Sequence, residues 1–106
     1  MVRHEMDIDE SIRIILSTAR GERRMRPMFG SRCHELVFAP NNATTWGLMQ
    51  QYVEEALGWW EPRIEVLDID AGADPTDASR LLVNIQYKVK ATSDKRSLVY
   101  PFYLSG

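Results

Sequence analysis

The chain has 106 residues, of which 44% are hydrophobic, and a formal net charge of −2 at pH 7. This length suits a single domain, expected to span residues 1–106, with one modest core. The one cysteine, Cys33, cannot form an internal disulfide, and no apolar run near the N-terminus has the length of a signal peptide or membrane span. We therefore expect a protein made in the cytoplasm, without membrane insertion. Its weak negative charge argues against nucleic-acid binding, which depends on a basic surface.

Charge is distributed unevenly along the chain. Five arginines crowd residues 20–32 against one acid, Glu22, whereas six acids between residues 61 and 77 face only Arg63. Such asymmetry can orient a subunit within an assembly, but it is equally compatible with two ordinary solvated surfaces.

The N-terminal third predicts one helix followed by an irregular connector. Apolar side chains recur at helical spacing along one face: Ile8, Ile12, Ile15, Leu16 and Ala19. Asp7 and Glu10 form a capping-box pattern at its start, and Gly21 suits a left-handed stop after its last turn. Residues 22–30 follow as the connector, since they mix arginines and methionines with a proline and a glycine.

Two further helices are predicted before the middle of the chain ends. A short one from Arg32 to Phe38 would be capped by Ser31 and ended by Pro40. A longer one, from about Thr44 to Trp59, is stopped by Pro62. It carries a continuous apolar stripe: Leu48, Met49, Tyr52, Val53, Ala56 and Leu57. Three tryptophans fit core or corner packing, although an exposed one would suit an interface: Trp46, Trp59 and Trp60.

The remainder predicts antiparallel strands. The apolar phase slips between Val66 and Leu67, which indicates a bulge or a strand apolar on both faces. Residues 80–91 then alternate, and their inward positions would be Leu81, Val83, Ile85, Tyr87, Val89 and Ala91. A polar turn and a second alternating run, residues 98–104, complete a hairpin, with the last strand at an edge because Pro101 lacks an amide. The fold class is α+β, with two to three N-terminal helices packed on a small C-terminal antiparallel sheet of about three strands.

Four short segments, in their order and spacing, carry a family resemblance. They are LSTARGER at 16–23, PMFG at 27–30, LVF at 36–38 and WEPRI at 60–64. Together they resemble the GPW/gene-25-like baseplate family, over nearly the whole chain. That family includes the sheath-initiating wedge subunit of contractile phage tails and its counterparts in type VI secretion and related injection systems. The resemblance implies a structural protein incorporated into a baseplate, with other wedge subunits, sheath subunits and tube or hub proteins as partners.

The resemblance also assigns a docking role to the family's Glu-Pro-Arg signature, here Glu61, Pro62 and Arg63. In the family this motif docks on the helical core bundle built by partner wedge subunits, and arginine suits bidentate contacts at such interfaces. The residue types alone favour a plainer interpretation, an internal ion pair that braces the corner between helix and strand. Arg23, in the recurrent Gly-Glu-Arg segment, is expected either to fix its loop or to meet an acidic neighbour.

A second implied role belongs to the C-terminal hairpin. Its exposed edge could accept sheath extensions by strand addition, which would make it a template for the first sheath ring. Lys88, Lys90 and Tyr100 are the contact residues expected there. Without the resemblance, lysines on an edge would be interpreted as charges that prevent aggregation.

The alternative function is a small lysozyme-like peptidoglycan hydrolase, because some family members carry such a label. Glycoside hydrolysis needs two carboxylates facing each other across a cleft, one of them with a raised pKa. Glu54 and Glu55 instead diverge around their helix, and His34 beside Cys33 has no evident third ligand. We therefore predict no enzyme activity, no catalytic residues, no metal site and no cofactor.

Overall fold

The computed structural model describes the chain from residue 4 to residue 105, with side chains from residue 8 onward. Within this part the elements are α1 (His4–Ser17), a 3-10 turn (Cys33–Leu36), α2 (Ala43–Trp60), β1 (Ile64–Asp74), β2 (Asp77–Val89) and β3 (Lys95–Tyr103). The strands form an antiparallel sheet in the order β1-β2-β3. The predicted α+β class is confirmed, and β1 and β3 are the two edges of this sheet.

Helix α1 starts and ends earlier than predicted. Its backbone is already helical at His4, so Asp7 lies inside the helix and not at its cap. No proline or glycine precedes Asp7 to stop the helix there. At the other end the chain leaves the helix at Thr18, whose carbonyl accepts the Ser31 amide at 2.9 Å. The helix therefore ends before Gly21, although that residue does adopt the predicted left-handed backbone, with φ +90°.

The connector folds back on itself and is closed by backbone hydrogen bonds. The Gly21 amide donates to the Pro27 carbonyl at 2.6 Å, and the Phe29 amide donates to the Arg26 carbonyl at 3.0 Å. Gly30 has φ +117°, and a Cβ atom there would overlap the Thr18 backbone. Only glycine lets the connector return this close to the end of α1.

The short helix predicted from Arg32 to Phe38 is instead one 3-10 turn, Cys33–Leu36. The segment is too short to repay helix nucleation, and Pro40 prevents its extension. Ser31 lies one residue before the observed cap position, which is Arg32. Its hydroxyl donates to the Leu16 carbonyl at 3.0 Å and accepts the Cys33 amide at 3.3 Å. Ser31 thus ties the turn to α1.

Helix α2 is one residue longer at each end than predicted. Asn42 caps it by accepting the Thr45 amide at 3.1 Å, and the Glu61 amide closes its last turn on Leu57 at 3.0 Å. The inner part of the predicted apolar stripe is buried: Met49, Val53, Ala56 and Leu57. Leu48 and Tyr52 lie at the margins of that stripe, where they remain partly exposed.

The sheet follows the predicted alternation. The register of β1 against β2 shifts between Val66 and Asp68, which confirms a bulge at Leu67. The inward positions of β2 are buried as predicted, except that Ala91 lies beyond the strand and is exposed. Strand β3 begins at Lys95, inside the predicted turn, and it is an edge strand as Pro101 indicated.

Both helices pack on one face of the sheet, and the core lies between the helices and that face. Its fully buried members come from every layer, namely Ile12 and Leu16 of α1, Met49 and Val53 of α2, and Leu81, Val83 and Ile85 of β2. On the other face β2 carries mostly polar side chains, and Val99 and Tyr103 of β3 are exposed beside them. Neither α1 nor α2 has the length and apolar character needed to cross a bilayer.

Candidate functional site

The Glu-Pro-Arg segment forms the corner between α2 and β1. Pro62 and Arg63 lie in a turn. The Glu61 side chain points inward and is 2% exposed, whereas the Arg63 side chain is 48% exposed. Arg63 Nε donates to Glu61 Oε1 at 2.8 Å, and Nη2 donates to Oε2 at 2.9 Å. The pair is bidentate, with the carboxylate buried and the guanidinium at the surface.

The buried carboxylate remains ionised through its hydrogen bonds. Burial alone would raise the pKa of Glu61, but hydrogen bonds from the side chains of Arg63 and Ser11 outweigh it and lower that pKa. The Arg63 amide adds a further hydrogen bond to Oε1 at 3.3 Å. Since Ser11 belongs to α1, this carboxylate joins α1 to the end of α2 and the start of β1.

Lys90 adjoins this corner. Its amide donates to the Arg63 carbonyl at 2.9 Å, just beyond the paired ends of β1 and β2. Arg63 and Lys90 line a groove of 450 Å³ together with Ile8, Val89 and the two residues that follow Lys90. The corner thus combines two cationic side chains with an apolar floor.

Arg23 lies over an aromatic ring in the connector. Its guanidinium carbon is 4.4 Å from the centroid of Phe29, and Phe29 meets Trp60 edge to face at 5.2 Å. This stack anchors the connector to the end of α2. Arg23 thus contacts a ring of its own connector, which is the kind of contact that the loop-fixing interpretation requires. Sequence reasoning did not single out Phe29, whose aromatic character near Arg23 was the available signal.

The three tryptophans have different environments. Trp46 and Trp60 are half-buried, and Trp46 Nε1 donates to Asn41 Oδ1 at 2.7 Å. Trp59 is 72% exposed and lines a hollow of 320 Å³ with Met28, itself 60% exposed. Packing is thus confirmed for two tryptophans, and the third, two residues before Glu61 in the chain, offers a large exposed apolar surface.

Lys88 and Tyr100 lie on opposite faces of the sheet. Lys88 Nζ is 3.4 Å from Glu65 Oε1 on β1, on the solvent face. Tyr100 is half-buried on the core face, and burial raises the pKa of its phenol. Of the predicted contact residues, the structure brings together only the Glu-Pro-Arg corner and Lys90.

A second pair of the same kind lies at the far end of β1, and sequence reasoning missed it. Arg80 Nε donates to Asp74 Oδ2 at 2.6 Å, and the Asp74 side chain is 5% exposed. Thr76 adds backbone and hydroxyl hydrogen bonds to Asp74, each at 2.8 Å. Strand β1 therefore begins and ends at a buried carboxylate paired with a more exposed arginine.

The remaining titratable groups show little that resembles a catalytic centre. Hydrogen bonds lower the pKa values of Glu35, Asp74 and Asp77, as they do for Glu61. Burial raises the pKa of the Cys33 thiol to about 11, and His34 is exposed with its ring against Phe102 at 6.2 Å. Among the described side chains no three potential metal ligands cluster.

Two helices on one face of a three-stranded antiparallel sheet, with a paired arginine at the helix–strand corner, define a small α+β protein. The family model of the baseplate wedge protein gp25 matches residues 2–94, so the chain belongs to that family. Membership implies incorporation into a tail baseplate and contact with other baseplate components. This confirms the resemblance found in the short segments.

A solved structure supports the same relationship. The chain is similar to a crystal structure of a protein from Geobacter sulfurreducens that is provisionally named a tail lysozyme. The two are 52% identical, the similarity covers 100% of this chain and 96% of the other, and the TM-score is 0.91. No curated protein matches the chain significantly.

Proposed function

We propose that this chain is a structural wedge subunit that docks on the helical core bundle of partner wedge subunits through the Glu-Pro-Arg corner. We further propose that it initiates sheath assembly through its C-terminal sheet. The observation that carries the docking proposal is the Arg63 guanidinium, which the buried Glu61 carboxylate holds in a bidentate pair while half of the side chain stays at the surface.

This arrangement suits a binding residue. A guanidinium already fixed in one orientation loses little conformational entropy when a partner binds. Glu61 is too buried to touch a partner itself, so its role is to position Arg63. Pro62, exposed in the turn, fixes the backbone between the two. Lys90 adds a second cation beside the groove, and Trp59 offers an apolar anchor nearby.

The expected partner surface therefore has carboxylates or helix-terminal carbonyls opposite Arg63 and Lys90. It also has an apolar side chain that can cover Trp59. A bundle of amphipathic helices presents both kinds of group, which supports the assignment of the core bundle as the docking partner.

The sheath role depends on the sheet. Strand edges offer backbone amides and carbonyls to an added strand, and Lys88 lies on the solvent face of the same sheet. Tyr100, half-buried on the core face, would stabilise the sheet by packing against the core. Arg23 would contribute indirectly, because it stabilises the connector against the end of α2.

The docking proposal can be tested with paired variants. A single Arg63→Ala change would leave the Glu61 carboxylate buried without its main partner, which would confuse loss of folding with loss of docking. The double variant Glu61→Gln/Arg63→Gln removes both charges and retains hydrogen-bonding groups. The matched control is Asp74→Asn/Arg80→Gln, which alters the similar pair at the other end of β1.

Tagged protein would be recovered from cells that express the other tail genes, and the partners identified by mass spectrometry. We expect wild type and the Asp74/Arg80 control to recover wedge subunits, and the Glu61/Arg63 variant to lose them while its circular dichroism spectrum stays native. Equal recovery by both variants would contradict docking through this corner.

Besides the name of the Geobacter protein, one structural feature bears on the alternative hydrolase function. Glu54 and Asp68 both line a groove of 290 Å³ between α2 and β1. Gln50 and Gln51 line it beside Val66, Leu67 and Ile69. Glu54 and Asp68 are both exposed, so the groove does not enclose either carboxylate as the site of a general acid would. We propose that the chain has no hydrolase activity. Clearing of purified peptidoglycan by the wild type, abolished by Glu54→Gln, would overturn this.

A further inference from the structure

The hydrogen bonds of the central strand β2 determine which backbone amides and carbonyls of β1 and β3 point away from the sheet. The Lys90 amide bonds to the Arg63 carbonyl, next to the Ile64–Val89 pair, so even-numbered residues of β2 bond toward β1. The Leu104 amide bonds to the Ser79 carbonyl, so odd-numbered residues of β2 bond toward β3. Each edge strand therefore turns alternate backbone groups away from the sheet.

On β3 the outward positions are Lys95, Ser97, Val99, Pro101 and Tyr103, and the middle of this edge is closed. Pro101 has no amide to offer. The Val99 carbonyl accepts Arg13 Nη1 from α1 at 3.3 Å, and Arg13 is itself held by Asp9 at 2.7 Å. Of these two consecutive outward positions, Pro101 therefore has no donor, and the Val99 carbonyl already accepts a hydrogen bond from Arg13.

On β1 the outward positions on either side of the bulge are Ile64, Val66, Ile69, Ala71 and Ala73. None is a proline, so each has both an amide and a carbonyl. The bulge at Leu67 interrupts the register, which leaves Ile69 to Ala73 as the longest regular stretch of this edge. Those five residues extend over roughly 14 Å, enough for a short added strand.

Charge indicates what kind of segment could pair there. The solvent face of β1 carries Asp68 and Asp70, whose register partners on β2 are the uncharged Gln86 and Asn84. An added strand would place its own side chains on the other flank of these carboxylates, where lysine or arginine is favoured. A second copy of this chain is a poor occupant, because two acidic β1 edges repel each other.

We infer that the β1 edge, at Ile69–Ala73, accepts an extended basic segment of a sheath subunit, and that the β3 edge is closed by Pro101 and the Arg13–Val99 contact. This assignment rests on the proposed sheath role and specifies its site. It would place the growing sheath on the α2 side of the sheet, since α2 packs against β1.

Amide hydrogen exchange by NMR tests the assignment on the unmodified protein. The ligand would be the tail sheath subunit of the same genome, with the free protein as reference. Outward amides of Ile69, Ala71 and Ala73 should exchange rapidly in the free protein and at least tenfold more slowly in the complex. The outward amides of Ser97 and Tyr103 on β3 should change little.

The possible outcomes separate the two levels of the proposal. Protection on β3 alone, or a complex without new protection on either edge, would overturn the β1 assignment while leaving sheath binding intact. Absence of any complex would refute the sheath role itself, and the edge assignment with it.

Two matched proline variants give an independent check, because each removes one outward amide and no bond within the sheet. Ala73→Pro on β1 should weaken sheath binding by about fivefold, the effect of one main-chain hydrogen bond. Val99→Pro on β3 should leave binding unchanged. The reverse ranking, with both proteins folded by circular dichroism, would overturn the inference.

Discussion

Removing the Glu61 carboxylate is the perturbation that tests the corner most sharply as a structural device. In Glu61→Ala, the bidentate pair with Arg63 and the hydrogen bond from Ser11 are lost together. Three elements meet at this carboxylate, so the loss should reduce the stability of the whole domain. The matched control is Glu35→Ala, since Glu35 pairs with Arg32 at 3.2 Å but lies on the exposed surface.

The magnitude follows from the burial of the two partners. Hydrogen bonds to charged groups contribute about 1.5–3 kcal/mol, and a buried carboxylate also carries a desolvation cost that its removal relieves. Arg63 is half exposed and can be hydrated again after the change. We expect a net loss of about 2 kcal/mol, which lowers the melting temperature of a domain of this size by roughly 10 °C.

The assay is thermal unfolding between pH 7 and pH 3. Because the folded pKa of Glu61 lies below its unfolded value, the contribution of this carboxylate to stability is fully present above that unfolded value. It is lost as the pH falls through the folded pKa. Glu61→Ala should therefore melt well below wild type at pH 7, and the difference should shrink at pH 3. Equal melting at pH 7, or a difference independent of pH, would refute this account, whereas Glu35→Ala should resemble wild type throughout.

Three further predictions concern single residues. Gly30→Ala should cost about 3 kcal/mol, because its positive φ and the Thr18 backbone both exclude a Cβ atom, measured by urea denaturation. Asn42→Ala should cost about 1 kcal/mol in the same assay through loss of the cap on Thr45. Cys33 should resist a thiol reagent at pH 7.5 in the folded protein, because it is buried and its pKa is about 11.

Each of these has a control and a contrary result. Gly21→Ala, with positive φ but open space around it, should cost only about 1 kcal/mol, and equal effects at both glycines would contradict the steric argument. Asn42→Ser should retain the cap, so a loss as large as that of alanine would argue against capping. Rapid labelling of Cys33 without denaturant would show that the core opens readily.

The parts of the fold that sequence predicted correctly are those with long periodic patterns. The stripe from Met49 to Leu57 and the alternation from Leu81 to Val89 each extend over several repeats. A single residue that departs from the pattern therefore does not change the predicted element. The bulge at Leu67 was predictable for the same reason, as a break in an otherwise regular phase. The predicted start of α1 and the predicted helix from Arg32 to Phe38 were wrong. Both predictions depended on a few residues, and the observed backbone there depends on contacts with other parts of the chain.

The candidate site was only partly predictable, since its geometry depends on tertiary contacts. Sequence could place Glu61 and Arg63 two residues apart, but their opposite burial arises from the turn at Pro62 and from Ser11 of α1. The contact between Arg13 and Val99 joins residues 86 positions apart and has no sequence signature. The two edges of the sheet therefore became distinguishable only in the structure.

The central claim is that the Glu-Pro-Arg corner is where this chain meets the rest of the baseplate. Electron cryomicroscopy of the assembled baseplate tests it most directly, at a resolution that shows side chains. We predict that Arg63, still paired with Glu61, contacts a helical bundle of wedge subunits and that Trp59 is covered there. A baseplate in which this corner faces solvent and another surface meets the bundle would contradict the claim.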